Sequence, residues 1–90
     1  MIFSRFEVKG NSMQPNFKSG DRVFVSKFGK IMENDIIVLN KDKKNMIKRV
    51  KKILNNKYHV LGDNQNESTD SRHFGLIEKK NIKGKVLFKY

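Results

Sequence analysis

The stretch Asp35–Leu54 reads DIIVLNKDKKNMIKRVKKIL, and its parsing decides the fold. Ile36, Ile37, Val38 and Leu39 form a wholly apolar run of strand length, so Asp35–Asn40 predicts a short strand. Asn40–Asn45 is polar throughout and predicts a turn. A longer strand follows from Met46 to Leu54. A two-residue period along it puts Met46, Lys48 and Val50 on one face and Ile47, Arg49 and Lys51 on the other. Lys48 is therefore flanked on its own face by two apolar side chains. Desolvation in such a place disfavours the ammonium, lowers its pKa and yields the neutral amine that a general base needs. A solvated lysine fits the pattern too, because the chain holds 16 lysines and both strand faces carry apolar residues.

Outward from this stretch the chain reads as further short strands. Arg22–Lys27 (RVFVSK) is rich in β-formers and follows the turn signal Ser19-Gly20-Asp21. Ile2–Val8 carries Phe3, Phe6 and Val8. On the other side, Asn55-Asn56-Lys57 turns into a strand over Tyr58–Leu61, and Gly62–Ser71 is a polar loop without an apolar residue. Gly75–Ile82 predicts a short turn of helix, and Lys85–Tyr90 a closing strand. There is no heptad, no useful 3.6-residue stripe and no repeat. The expectation is one mainly β domain over residues 1–90, a small barrel-like or folded antiparallel sheet. That reading speaks against a helix-turn-helix reader of DNA.

Composition narrows the function classes. Ninety residues, 37% hydrophobic and 32% charged, suit one small globular domain. The absence of cysteine excludes a disulfide framework, a thiolate zinc site and a cysteine nucleophile. A net charge of +11 favours anionic partners, nucleic acid or anionic lipid, and reads equally as a chain-wide lysine bias. The longest clean apolar run, Ile36–Leu39, is far short of the roughly 20 residues of a spanning helix. Arg5, Glu7 and Lys9 interrupt Met1–Gly10, so it is not a signal peptide.

Two further segments bear on chemistry. In Gly10–Pro15 (GNSMQP), Ser12 follows a small-residue turn from which a hydroxyl projects beside backbone N–H groups suited to an oxyanion. Ser12 reads as well as a turn residue bonded to its own backbone. In Gly62–Arg72 the oxygen-bearing side chains alternate as in a calcium loop, but the central glycine and flanking helices of that motif are missing. A Ser12–His73–Asp70 triad has no pattern behind it, His59 reads as a partly exposed strand residue, and two distant histidines make no metal site.

Taken together, three strings resemble a known family. GNSMQPNFKSGDRVFVSK (residues 10–27) is similar to the nucleophile box of type I signal peptidases, G-x-S-M-x-P-T-L followed by G-D-x-V-x-V. IKRVKKI (residues 47–53) resembles their lysine box. LGDNQNESTDSRHFGLIEKKNIKGKV (residues 61–86) resembles their last box, G-D-N-x-x-x-S-x-D-S-R-x-x-G with I-x-G-K after it. The three occur in the family's order over nearly the whole chain. Self-cleaving repressors of the LexA type share the first box and the serine–lysine chemistry but not the last box.

The resemblance implies a serine endopeptidase of the signal peptidase I kind, working through an acyl-enzyme without a cofactor or metal. It makes Ser12 the nucleophile and Lys48 the base, with Ser68 orienting the amine and Asp70 and Arg72 bracing the site as an ion pair. The oxyanion site takes the N–H of Ser12; at Gly10, where some members add a serine hydroxyl, only backbone contributes. The implied substrate is a signal peptide or a similar small-residue site in a precursor. Asn16 and Phe17 replace the usual Thr-Leu, and the large insertion after the lysine box and the anchoring helix upstream of Gly10 are missing. The basic charge adds a peripheral contact with anionic membrane as an expected partner, and the strand pattern argues against nucleic acid. The compartment follows from that contact or an anchor: membrane-associated with either, cytoplasmic without. Two other readings stay open, a non-enzymatic basic module and a maturation protease for one soluble partner.

Overall fold

Two strands, β3 (Ile36–Lys41) and β4 (Lys44–Leu54), meet across a two-residue turn in the computed structural model, which describes residues 2–90. Met1, the first residue of the Met1–Gly10 stretch, lies outside the described residues. Asp42 and Lys43 form the turn with φ of 54° and 67°, the left-handed geometry that matches the twist of a hairpin. The turn is tighter than the polar run Asn40–Asn45 suggests, because Asn40 and Asn45 join the ladder and bond through their side chains at 2.8 Å.

The other strands are β1 (Phe3–Glu7), β2 (Arg22–Ser26), β5 (Lys57–Leu61), β6 (Ile77–Glu78) and β7 (Ile82–Lys89). All pairings are antiparallel, in one open seven-stranded sheet of order β1-β2-β7-β3-β4-β5-β6. The mainly β expectation therefore holds, as a folded sheet. Helix is confined to one turn, α1 (Ser71–Phe74), and two 3-10 turns, Gln65–Glu67 and Lys79–Asn81. The helix expected over Gly75–Ile82 is instead β6, a 3-10 turn and the start of β7. The helical turn sits earlier, because Asp70 caps it by accepting from the Arg72 N–H and Gly75, at φ 82°, ends it. Among the described residues no helix is long and apolar enough to cross a membrane.

The sheet folds its apolar side chains into two buried clusters, one on each face. One cluster holds Val8, Met13, Val23, Val25, Val38 and Ile47; the other holds Ile37, Leu39, Val50, Tyr58, Val60 and Ile77. Successive β3 residues alternate between them, which is why its sequence is apolar without interruption. On β4, Ile47 enters the first cluster while Met46 and Val50 face the second. A bulge between Val50 and Lys52 then resets the alternation, so that Ile53 faces the second cluster as well. Lys48 lies between Met46 and Val50 on that second face.

Candidate active site

β4 delivers Lys48 into the interior: the residue is only 3% exposed. Its Nζ donates to Ser68 Oγ at 3.2 Å, and Ser68 Oγ in turn donates to Asp70 Oδ2 at 2.8 Å. The same carboxylate oxygen accepts the Gly62 N–H at 2.9 Å. Arg72 closes the far side, with its Nε 2.9 Å and its backbone N–H 3.1 Å from Asp70 Oδ1. Every polar atom of the fully buried Asp70 side chain is therefore engaged, as a buried carboxylate requires.

These contacts set the charges. Burial pushes the Lys48 ammonium below its ordinary pKa; attraction to Asp70 works against this and repulsion from Arg72 adds to it. For Asp70, burial opposes ionisation, but the bonds from Arg72, Gly62 and Ser68 overcome it and hold the carboxyl well below the usual carboxylate range. An Asp70 held in its ionised form beside a lysine whose pKa burial lowers is the electrostatic arrangement of the site.

Ser12 approaches from the turn after β1. The neighbouring Met13 is completely buried in the first cluster, and its sulfur accepts the Asp63 N–H at 3.4 Å. The Ser12 carbonyl accepts the Asn64 N–H at 2.8 Å, and the Asn11 carbonyl accepts from the Asn64 side chain at 3.1 Å. Gly62 is where the two halves of the site meet. A Cβ there would stand 2.6 Å from the Ser12 carbonyl oxygen and collide with the Ser68 side chain, so no larger residue fits. The fold thus gathers Ser12, Lys48, Ser68, Asp70 and Arg72 around one glycine. The Lys48 amine is bonded to Ser68 and not to Ser12. Gly10 stands apart from this network, exposed and at φ 86°, with its N–H donated to Ser19 Oγ at 3.2 Å.

Sequence reasoning passed over a second clamp. Arg49 Nε and Nη2 each lie 2.8 Å from a different oxygen of Asp63, and Asn16 Nδ2 donates to Asp63 Oδ2 at 2.7 Å. Arg49 also donates to the Asn34 carbonyl at 3.0 Å. Asp63 thereby ties the Ser12 turn to β4; hydrogen bonding from Arg49 lowers its pKa, against the desolvation that would raise it. Asn16, one of the two departures from the family pattern, is put to use here, and Phe17, the other, packs on the first cluster. The available signal was the alternation that sends Arg49 to the face opposite Lys48. His73, exposed, accepts the Asp70 N–H at 3.3 Å through Nδ1, and His59 is half-buried on β5.

Comparison with known proteins supplies the family. The sequence model described as Peptidase S24-like matches residues 5–87. Signal peptidase IB of Staphylococcus aureus is 36% identical over 89 residues, covering 96% of this chain and 47% of the relative. Signal peptidase I of Bacillus caldolyticus is 29% identical over 145 aligned positions, covering 99% of this chain and 80% of the relative. An alignment so much longer than 90 residues means that the Bacillus relative holds inserted sequence. This chain spans about half the length of the Staphylococcus relative. Fold and matches together define the class, a mainly β serine peptidase related to signal peptidase I. Within that class, the chain belongs to the Peptidase S24-like family.

Proposed function

We propose that this chain hydrolyses peptide bonds through a Ser12–Lys48 dyad and an acyl-enzyme. One observation carries the reading: a lysine only 3% exposed, with its pKa lowered by burial and its amine held by Ser68 beside the Ser12 turn. Neutral Lys48 Nζ takes the Ser12 hydroxyl proton as Oγ attacks the scissile carbonyl. The Ser12 N–H supports the oxyanion, and Lys48 returns the proton to the leaving amine. Water, deprotonated by the same amine, then cleaves the ester and frees Ser12. Proton transfer needs Oγ within bonding reach of Nζ, a contact that commonly tightens only with substrate in place. The substrate is an extended segment with small residues before the cut, as in a signal peptide. The test is mass spectrometry of peptides with small or aromatic residues at those positions, incubated with wild type and Ser12→Ala. Cleavage after small residues by wild type alone supports the reading; equal cutting by both proteins, or equal cutting after aromatic residues, counts against it.

A second contact has its own support. On the solvent face of β1, β2 and β7, Phe3, Phe24 and Phe88 stack at centroid distances of 5.4 and 5.2 Å, next to Arg5 and Arg22. Exposed aromatic rings bordered by cations suit the headgroup region of an anionic bilayer, where each basic residue contributes about 1 kcal/mol. Sedimentation with anionic vesicles at low and high salt, for wild type and Phe88→Ser, tests it; no binding at low salt removes the membrane as a partner.

A further inference from the structure

Among the strand edges left without a partner in the described residues, two lie close to each other. β1 pairs only with β2, and the Lys44–Lys48 half of β4 pairs only with β3, because β5 joins β4 from Arg49 onward. These edges are opposite walls of one cleft of about 510 Å³. Its floor is apolar, since Phe6 and Ile47 both pack on the first core cluster. Its rim is cationic: Arg5, Lys9 and Lys44 line it in the exposed state, against Glu7 as the single carboxylate. Among the described residues none of the three cleft cations stands within 4 Å of a carboxylate; most lysines of the chain share that, and what sets these three apart is that they gather at one cleft.

Resting on the peptidase reading, we propose that the cleft selects an extended peptide carrying carboxylate side chains beside its small residues. A peptide added to a free edge gains main-chain hydrogen bonds whatever its sequence, so selectivity falls to its side chains. These alternate in direction. One set meets the apolar floor of Phe6 and Ile47, and the other reaches the rim, where Arg5, Lys9 and Lys44 outnumber the one carboxylate, Glu7. Lysines on a free edge also deter pairing between copies of the chain, but that role is indifferent to the charge of a peptide.

The test uses three peptides with one small-residue core and flanks of Glu, Gln or Lys. kcat/KM is measured for wild type and Lys9→Gln/Lys44→Gln, at low and high salt. Fluorescence anisotropy reads binding of the same peptides, labelled, to Ser12→Ala. The Glu-flanked peptide is expected to lead and the Lys-flanked one to trail, by about two- to five-fold per charge, with the spread shrinking in salt and in the double variant. Equal rates and equal binding across the three overturn the proposal while leaving the peptidase reading standing. Cleavage of none, with binding still ordered by charge, sinks the peptidase reading and keeps the cleft's selectivity.

Discussion

The lysine half and the serine half of the site are held by different means. Lys48 is fixed by a relay of side chains, Ser68 to Asp70 to Arg72, in which one oxygen or nitrogen answers the next. Ser12 is fixed by main chain, through the Asn64 N–H on its carbonyl, and by Met13 plugged into the core. A group that must lose a proton needs its electrostatic surroundings fixed, and buried polar partners do that. A hydroxyl that must only be aimed needs its backbone fixed. Changes in the lysine half should therefore move charge, stability and rate together, while changes in the serine half should move rate, and stability where a clamp is lost, without moving the charge of Lys48.

The largest effect separates the halves at once. Ser12→Ala and Lys48→Met are both expected to abolish peptide cleavage, yet to differ in thermal unfolding. Ser12→Ala changes stability by no more than about 0.5 kcal/mol. Lys48→Met replaces a buried amine by an apolar chain of similar length and is expected to hold or raise stability, by about 1 kcal/mol. The sign with pH follows from the lowered folded-state pKa of Lys48. The cost of its charge is full below that folded value and fades as pH rises through the window up to 10.5, its ordinary value. Wild type should thus gain stability relative to Lys48→Met as pH rises through that window, and its kcat/KM should climb on a limb reporting the same group. Wild-type turnover by Lys48→Met would end the dyad reading.

Next comes Asp70, where charge and fold are joined. Asp70→Asn removes the ionised acceptor of Ser68, Gly62 and Arg72 in a fully buried place, at an expected cost of about 3 kcal/mol with most activity lost. Because its folded pKa is depressed, Asp70 contributes stability that is present above 3.8, its unfolded value, and is lost as pH falls below it. Urea unfolding across that acid range should show a steeper loss in wild type than in Asp70→Asn, where Asp63 and Asp21, also held below the usual carboxylate range, still contribute. An Asp70→Asn enzyme as stable as wild type, but inactive, would give Asp70 a direct part in the chemistry.

Asp63 probes the serine half. Asp63→Asn keeps the shape but weakens the double bond to Arg49 and the tie to Asn16, at about 1–2 kcal/mol. The Ser12 turn then loses its lateral clamp, and kcat/KM is expected to fall by about tenfold through misplacement. Since Lys48 and its partners are untouched, the pH profile should keep its shape. A shifted limb would show that the two halves are electrically one.

Much of this was legible because it is local. The period along Met46–Val50 set Lys48 between two apolar side chains while leaving a solvated lysine open, and the polar run Gly62–Ser71 announced a loop held by its own bonds. What escaped notice is set by contacts between distant segments. Nothing near Asp63 says that Arg49 and Asn16 will meet on it, and β7 slots between β2 and β3 although it comes last in the chain. Lys48's burial needed both neighbours: Ile37, opposite on β3, and the Ser68–Asp70 loop above it. The misplaced helix has a local cause. Asp70 and His73 form a reciprocal cap three residues apart, which outweighs the weak helical pattern after Gly75.

The smallest expected effect belongs to His73, and it tests the comparison from outside. Its Nδ1 lies 3.9 Å from Asp70 Oδ1, a proximity that invites a serine–histidine–aspartate triad. The bonding says otherwise: Nδ1 accepts the Asp70 N–H at 3.3 Å, so it serves the end of α1, and neither ring nitrogen is bonded to Ser12. Asp70 meanwhile directs its oxygens to Ser68, Gly62 and Arg72, and through Ser68 to the buried Lys48. His73→Ala should therefore cost about 0.5–1 kcal/mol, the loss of one exposed cap bond. Its kcat/KM should stay within about two-fold of wild type, because less than 0.5 kcal/mol of barrier is at stake. Thermal unfolding and a peptide-cleavage assay read both numbers. A folded but inactive His73→Ala would move the base from the lysine half to the histidine and dissolve the division between side-chain relay and main-chain clamp.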